Sequence, residues 1–201
     1  MTRQELDEQL QRVKHIPLVQ EGIALVEQAR QYALKMHGDQ KYGDDPYSVH
    51  LEDVETVLIE FDHNESLLRA AAWLHDLEDI FKLDTPESRQ FFHDEFTKEF
   101  SKDKGHGYLF LIVEALTSEP GKNRKERNKA TYVKIAKLTG AIKVKLADRI
   151  SNGRKSKASD PGKFAMYKKE YPEFRATLYK DGAEDVLPMW EELDRLFDFK
   201  N

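Results

Sequence analysis

Between Ala70 and Ile80 the chain runs AAAWLHDLEDI, so His75, Asp76, Glu78 and Asp79 follow directly on an apolar run. On a single helix each residue turns by about 100°, and residues four apart share a face. With His75 at zero, Asp79 lies about 40° round, Asp76 about 100°, and Glu78 about 60° to the other side. One surface then aims an imidazole and two carboxylates at a common point. A divalent cation needs that convergence, and so does acid–base catalysis on a cation-activated water. The plainer alternative is that the acidic residues favour the helix dipole and meet solvent. The apolar residues before them argue instead for burial, where an uncompensated carboxylate pair is costly.

Two other stretches offer the same side-chain types. In GDDPYSVHLEDV, His50 shares a helical stripe with Val54, Val57 and Phe61 and so faces inward. Read alone, it is equally a satisfied core histidine. In VKLADRISNGR, Asp148 sits among Leu146, Ala147 and Ile150, with Asn152 one turn on. Read alone, it is equally a structural carboxylate paired with Arg149 or Arg154. Taken together, His, His-Asp and Asp form an order that chance seldom supplies.

The elements that must position these residues are helical almost throughout. Apolar residues recur at spacings of three and four from Val19 to Met36. Gly38 closes that helix, and Pro46 is a further breaker. A helix is expected from about Ser48. Another is expected after Asn64, a plausible cap, and it carries the opening stretch. Thr85, Pro86 and Glu87 carry the start signals of a further helix. GYLFLIVEAL reads as a buried helix ended by TSEPGKN, and RKERNKATYVKIAKL reads as the next. Gly140 then breaks the chain. Over 141–154 the alternation of Ile142, Val144 and Leu146 with Lys143 and Lys145 fits a strand as well as a helix. YPEFRATLY and EDVLPMWEELDRLFDF are helix-like. The expectation is one all-α domain over 1–201, with about two-thirds or more of its residues helical.

Composition narrows the chemistry. There is no cysteine, which excludes disulfides, thiolate metal sites and a cysteine nucleophile. Any metal must be held by His, Asp and Glu, which suits Mn²⁺, Mg²⁺, Fe²⁺ or Zn²⁺. A net charge of −5 argues against general attraction to nucleic acid or an anionic membrane, although one cleft can still be basic. The first fifteen residues are too charged for a signal peptide, and the longest apolar run, Tyr108 to Val113, is far short of the ~20 residues of a membrane helix. The cytoplasm is the expected compartment.

HGDQKYGDDPYSVHLEDV (His37 to Val54), AAWLHDLED (ending at Asp79) and VKLADRISNGR (Val144 to Arg154) together resemble the HD superfamily of metal-dependent phosphohydrolases. Within it they look most like the hydrolase domain of the RelA/SpoT alarmone enzymes and their small single-domain relatives. The likeness spans about 20–160 and leaves helices over 161–200. It implies an HD-type helical bundle, a helix over 141–154, and one divalent ion, usually Mn²⁺, held by His50, His75, Asp76 and Asp148. Such an ion would polarise a phosphoryl oxygen and lower the pKa of a bound water.

The family has two residues between the His-Asp pair and its Glu-Asp pair, whereas here Leu77 stands alone. The family's catalytic Glu therefore falls at Asp79, and its following Asp falls at Ile80. The implied acid–base group is Asp79, with Glu78 assisting. Lys41 stands where the family has an Arg that stacks on guanine, and Lys lacks Arg's planar surface. Tyr42 beside it is either a stacking platform or an ordinary loop aromatic. Asn152 and Arg154 match family positions near substrate. Arg124 and Arg127 lie in a basic segment that lines the family's diphosphate side, or else form part of a solvated helix face. His37 matches as a helix-end structural residue, whereas His15, His63, His93 and His106 belong to no such pattern.

The implied function is hydrolysis of a small nucleotide, first of all guanosine tetra- or pentaphosphate, (p)ppGpp, losing its 3′-diphosphate. The alternatives are a phosphatase acting on deoxynucleotides or NADPH, and a nucleotide-binding relative with impaired turnover. No nucleic-acid or membrane partner is expected.

Overall fold

The structure, a computed structural model, describes all residues except 15, 84, 102–104 and 201, so His15 lies outside the described residues. It is all-α, with 76% of residues helical, in keeping with the two-thirds or more that the periodicity suggested. The helices are α1 (Arg3–Val13), α2 (Pro17–His37), α3 (Tyr47–Glu60), α4 (Ser66–Leu74), α5 (Glu78–Phe81), α6 (Pro86–Phe100) and α7 (His106–Leu116). They continue as α8 (Arg124–Ile135), α9 (Thr139–Ser159), α10 (Pro161–Leu178) and α11 (Leu187–Leu196), the last preceded by a 3₁₀ turn at Glu184–Val186. A two-residue hairpin joins α2 to α3, with β1 (Lys41–Tyr42) antiparallel to β2 (Asp45–Pro46).

Several boundaries follow from local chemistry. Gly38 ends α2 at φ 49°, a conformation that costs a side chain but not glycine. The Thr85 hydroxyl accepts the Ser88 N–H while Pro86 fills the first turn of α6. Asn123 and Asp160 cap α8 and α10 in the same way. Two expectations shift. The residue before α4 is Glu65, not Asn64, and it makes no side-chain cap. Gly140 lies inside the first turn of α9 and does not break it. Its bareness serves packing, because a Cβ there would come within 2.8 Å of Ile112 on α7.

Helix α9 is the hub, touching α3, α4, α7, α8, α10 and α11. This explains the strand-like alternation over 141–154. A helix with neighbours on many sides buries apolar residues around much of its circumference, so no single apolar stripe shows. Ile142, Val144 and Leu146 are buried, while Lys143 reaches Asp185 at 2.9 Å and Lys145 reaches Asp148 at 2.7 Å. Helices α2 and α4 pack closely through buried small residues, Ala29 and Ala33 on one and Ala70–Ala72 on the other. Beside them Glu55 is fully buried, holding Arg69 at 2.7 Å, the Trp73 indole N–H at 2.9 Å and Arg3 at 3.1 Å.

His63 is buried between α3 and α4, and burial, with Lys143 nearby, holds its imidazole below the ordinary 6.5. The folded chain keeps it neutral while the unfolded chain protonates it near 6.5. Its contribution to stability is therefore intact above that pH and is lost as pH falls towards the lower folded value. Melting curves taken between pH 7.5 and 5.5 are expected to show a shallower fall in Tm for His63→Gln than for wild type. An identical fall in both proteins would contradict this.

Candidate metal centre

Three elements bring the candidate ligands together. Helix α3 places His50 in its first turn, helix α9 places Asp148 near its middle, and His75 and Asp76 follow the last residue of α4. The single-helix picture of 70–80 needs correcting here. Helix α4 ends at Leu74, a turn spans 75–77, and Glu78 opens the short α5. The angles of one continuous helix do not apply, yet the convergence survives by another route. Leu77, fully buried, pins the turn from inside, and the Asp76 carboxylate comes to 3.2 Å of His75 Nε2.

The donor atoms form a compact set. Asp76 Oδ2 lies 3.4 Å from His50 Nε2 and 3.2 Å from His75 Nε2. Asp148 Oδ1 lies 3.5 Å from His50 Nε2 and 3.8 Å from His75 Nε2. Ligand atoms of His50, His75 and Asp148 all fall within 4.8 Å of one another, and all three residues are buried. The Nδ1–H of His75 donates to the Ala72 carbonyl at 2.8 Å, which leaves Nε2 as the atom facing the cluster. That Nε2 is buried with no hydrogen-bond partner. Nitrogens of His50 and His75 and an oxygen of Asp148, with an Asp76 oxygen beside both imidazoles, fit a borderline divalent cation.

The electrostatics agree. Burial pulls the His75 imidazole down, but Asp76 and Asp148 override it and push it up to about 10. His50 is raised by the same two carboxylates against the same burial. Despite burial, Asp76 is held far below the carboxylate range by His75 and His50, and Asp148 by Lys145 and both histidines. Positive charge is thus demanded at this point, and a bound cation would replace protons there.

A second tier fixes the ligands. Lys145 donates to Asp148 Oδ2 at 2.7 Å, leaving Oδ1 for the cluster. Asn152 donates to that Oδ1 and accepts the Tyr42 hydroxyl. The Tyr47 hydroxyl donates to Asp76 Oδ2 at 2.7 Å and stands 3.5 Å from Asp79 Oδ2. Its ring stacks on His37, 4.5 Å between centroids.

The cluster shares a cleft of about 280 Å³ whose lining includes Tyr42, Asp79, Arg124, Asn128, Arg149 and Tyr167. The placement of the candidates now divides. His50, His75, Asp76 and Asp148 come together, and Asp79, Tyr42, Asn152 and Arg124 line the same cleft. Arg124 also pairs with Glu170 at 2.6 Å. Arg127 lies in an adjoining cleft that shares Glu78, Asp79, Ser118, Arg124 and Asn128 with the first. The Glu78 carboxylate is engaged by Ser118. Two candidates are not brought to the site. Lys41 is exposed on the hairpin, and Arg154 turns away to Glu60 at 2.7 Å and Glu192 at 3.0 Å.

Sequence reasoning passed over Tyr47, Lys145, Arg149 and Tyr167. The first two carried a signal, because Tyr47 precedes His50 by three residues and Lys145 precedes Asp148 by three, one helical turn in each case. Arg149 and Tyr167 meet only through tertiary packing of α9 on α10, the guanidinium 4.7 Å from the ring centre. No family model matches the chain, and no curated protein or solved structure matches it. The metal-centre reading therefore stands on the site's own chemistry.

Proposed function

We propose that this protein is a metal-dependent phosphohydrolase acting on a small nucleotide in the cytoplasm, with guanosine tetra- or pentaphosphate as the first candidate substrate. The observation that carries the reading is the set of four donor atoms from His50, His75, Asp76 and Asp148 lining an open cleft. A divalent ion held there, Mn²⁺ first among the candidates, supplies Lewis-acid polarisation of a phosphoryl oxygen and a more acidic water. The chain's own residues do the rest. Arg124 and Arg149, which share Glu170, and Lys145, which pairs with Asp148, are the cations in the lining that an anionic substrate would engage. Asp79 opens to the same space, and burial together with Asp76 raises its carboxyl above the usual range. A carboxylate of raised basicity beside the reacting phosphate is suited to accept the proton of the attacking water.

Replacing Asp79 by Asn is expected to lower kcat by about a hundredfold while leaving Mn²⁺ affinity near wild type. Steady-state kinetics beside a metal titration check it, and full turnover by Asp79→Asn would remove Asp79 from the role. A second reading keeps the chemistry and changes the substrate. Lys41 stays outside the cleft, and the Tyr42 ring is stacked on His50 and covered by Lys155, 4.4 Å from its centre, so neither is set out to take a guanine. A deoxynucleotide or NADPH is the corresponding candidate. A Mn²⁺-supplemented screen of alarmones, deoxynucleotides and NADPH separates these readings. Ligand-dependent thermal stabilisation without product would favour a nucleotide-binding protein without turnover.

A further inference from the structure

Glu78 and Ser118 meet where the two clefts join. One Glu78 oxygen accepts the Ser118 backbone N–H, and the other accepts the Ser118 hydroxyl at 2.8 Å. The same loop is gripped from two further sides. Arg89 on α6 donates to the Ser118 carbonyl at 3.1 Å, and the Thr131 hydroxyl on α8 accepts the Glu119 N–H at 2.9 Å. Lys134 then holds the Glu119 carboxylate at 2.6 Å. A few residues on, Asn123 caps α8, whose Arg124 and Asn128 line both clefts. Glu78 therefore links this loop to α5, the element that carries Asp79 as its next residue.

The local sequence produces this division of labour. With one residue between Asp76 and Glu78, the chain turns about the buried Leu77, and Glu78 emerges towards α7–α8. Asp79 emerges towards Tyr47 and Asp76. We propose that Glu78 is a positioning residue and not a second acid–base group. By holding Ser118 it sets the α7–α8 loop, and with it Arg124 and Asn128, at a fixed distance from Asp79. The kinetic half of this inference rests on the phosphohydrolase reading; the structural half does not.

Two readouts test it on the full chain. Hydrogen exchange on the protein without substrate reads the clamp directly, because the Ser118 N–H is donated to Glu78. In Glu78→Ala, a peptide covering 117–123 is expected to exchange about tenfold faster, the loss of one charge-assisted hydrogen bond. Glu78→Gln keeps an acceptor for that N–H and a donor for the hydroxyl, and is expected to restore most of the protection. Ser118→Ala, which removes only the hydroxyl contact, is the milder variant should Glu78→Ala fold poorly, and a partial rise is expected. In turnover, Glu78→Ala is expected to raise KM about tenfold with kcat within about twofold and an unshifted pH profile. Glu78→Gln should return KM towards wild type. Unchanged exchange in Glu78→Ala would overturn the clamp. So would a roughly hundredfold loss of kcat with a missing limb in the pH profile, the signature of an acid–base group. If wild type turns over none of the nucleotides, the phosphohydrolase reading fails, and the exchange result still decides the clamp.

Discussion

His75→Ala and Asp148→Ala are each expected to abolish Mn²⁺-dependent hydrolysis, with kcat/KM falling by at least about a thousandfold. Either change removes one of the three buried donors, His50, His75 and Asp148, whose ligand atoms lie within 4.8 Å of one another. The variants differ in what they leave behind. His75→Ala removes an imidazole that donates to the Ala72 carbonyl and faces Asp76 and Asp148, so two carboxylates lose part of their counter-charge. Asp148→Ala strands Lys145, whose ammonium sits 2.7 Å from the carboxylate, and a stranded charge costs stability. The cleaner comparison is therefore thermal. Mn²⁺ at about a hundred times its Kd stabilises a one-site protein by roughly 2.7 kcal/mol. Wild type should show that rise in Tm and His75→Ala should not. Equal Mn²⁺ stabilisation of both would place the metal elsewhere.

Glu55→Gln is expected to destabilise the fold by about 3–5 kcal/mol, a large share of the ~5–15 kcal/mol that typically separates folded from unfolded chains. Glu55 is fully buried, and its two oxygens serve Arg69, Trp73 and Arg3. Neutralising it leaves the Arg69 guanidinium buried without its counter-charge and loosens the tie from α1 to α3. A denaturant melt checks the size of the loss. Removing both charges in Glu55→Gln/Arg69→Met is expected to recover part of it, because the larger cost is an unpaired buried charge and not the absence of a pair. A loss below about 1 kcal/mol for Glu55→Gln would show that solvent reaches this network.

What the sequence made legible was whatever is decided within a turn or two. Gly38, the Thr85–Pro86 start and the inward stripe of His50, Val54 and Val57 act through local backbone geometry and periodicity, and the structure keeps them. The ambiguity at 141–154 arose because α9 is surrounded, which erases the one-sided pattern that identifies a helix. The convergence of His75 and Asp76 with Asp79 was legible in outcome but not in cause. It depends on the end of α4 at Leu74 and a turn about Leu77, not on helical angles. Partner choice was the least legible. Arg154 reads as a partner of Asp148 or a residue near substrate until Glu60 and Glu192, distant in sequence, claim it. Glu78 looked like half of an acidic pair until Ser118, forty residues on, took both its oxygens.

The proposed divalent-metal centre of His50, His75, Asp76 and Asp148 is tested by a calorimetric titration of Mn²⁺ into chelator-stripped wild-type protein, run beside His75→Ala. One ion bound per chain is expected in wild type and none in the variant over the same concentrations. Absence of binding in wild type, or one ion bound equally by His75→Ala, would contradict it.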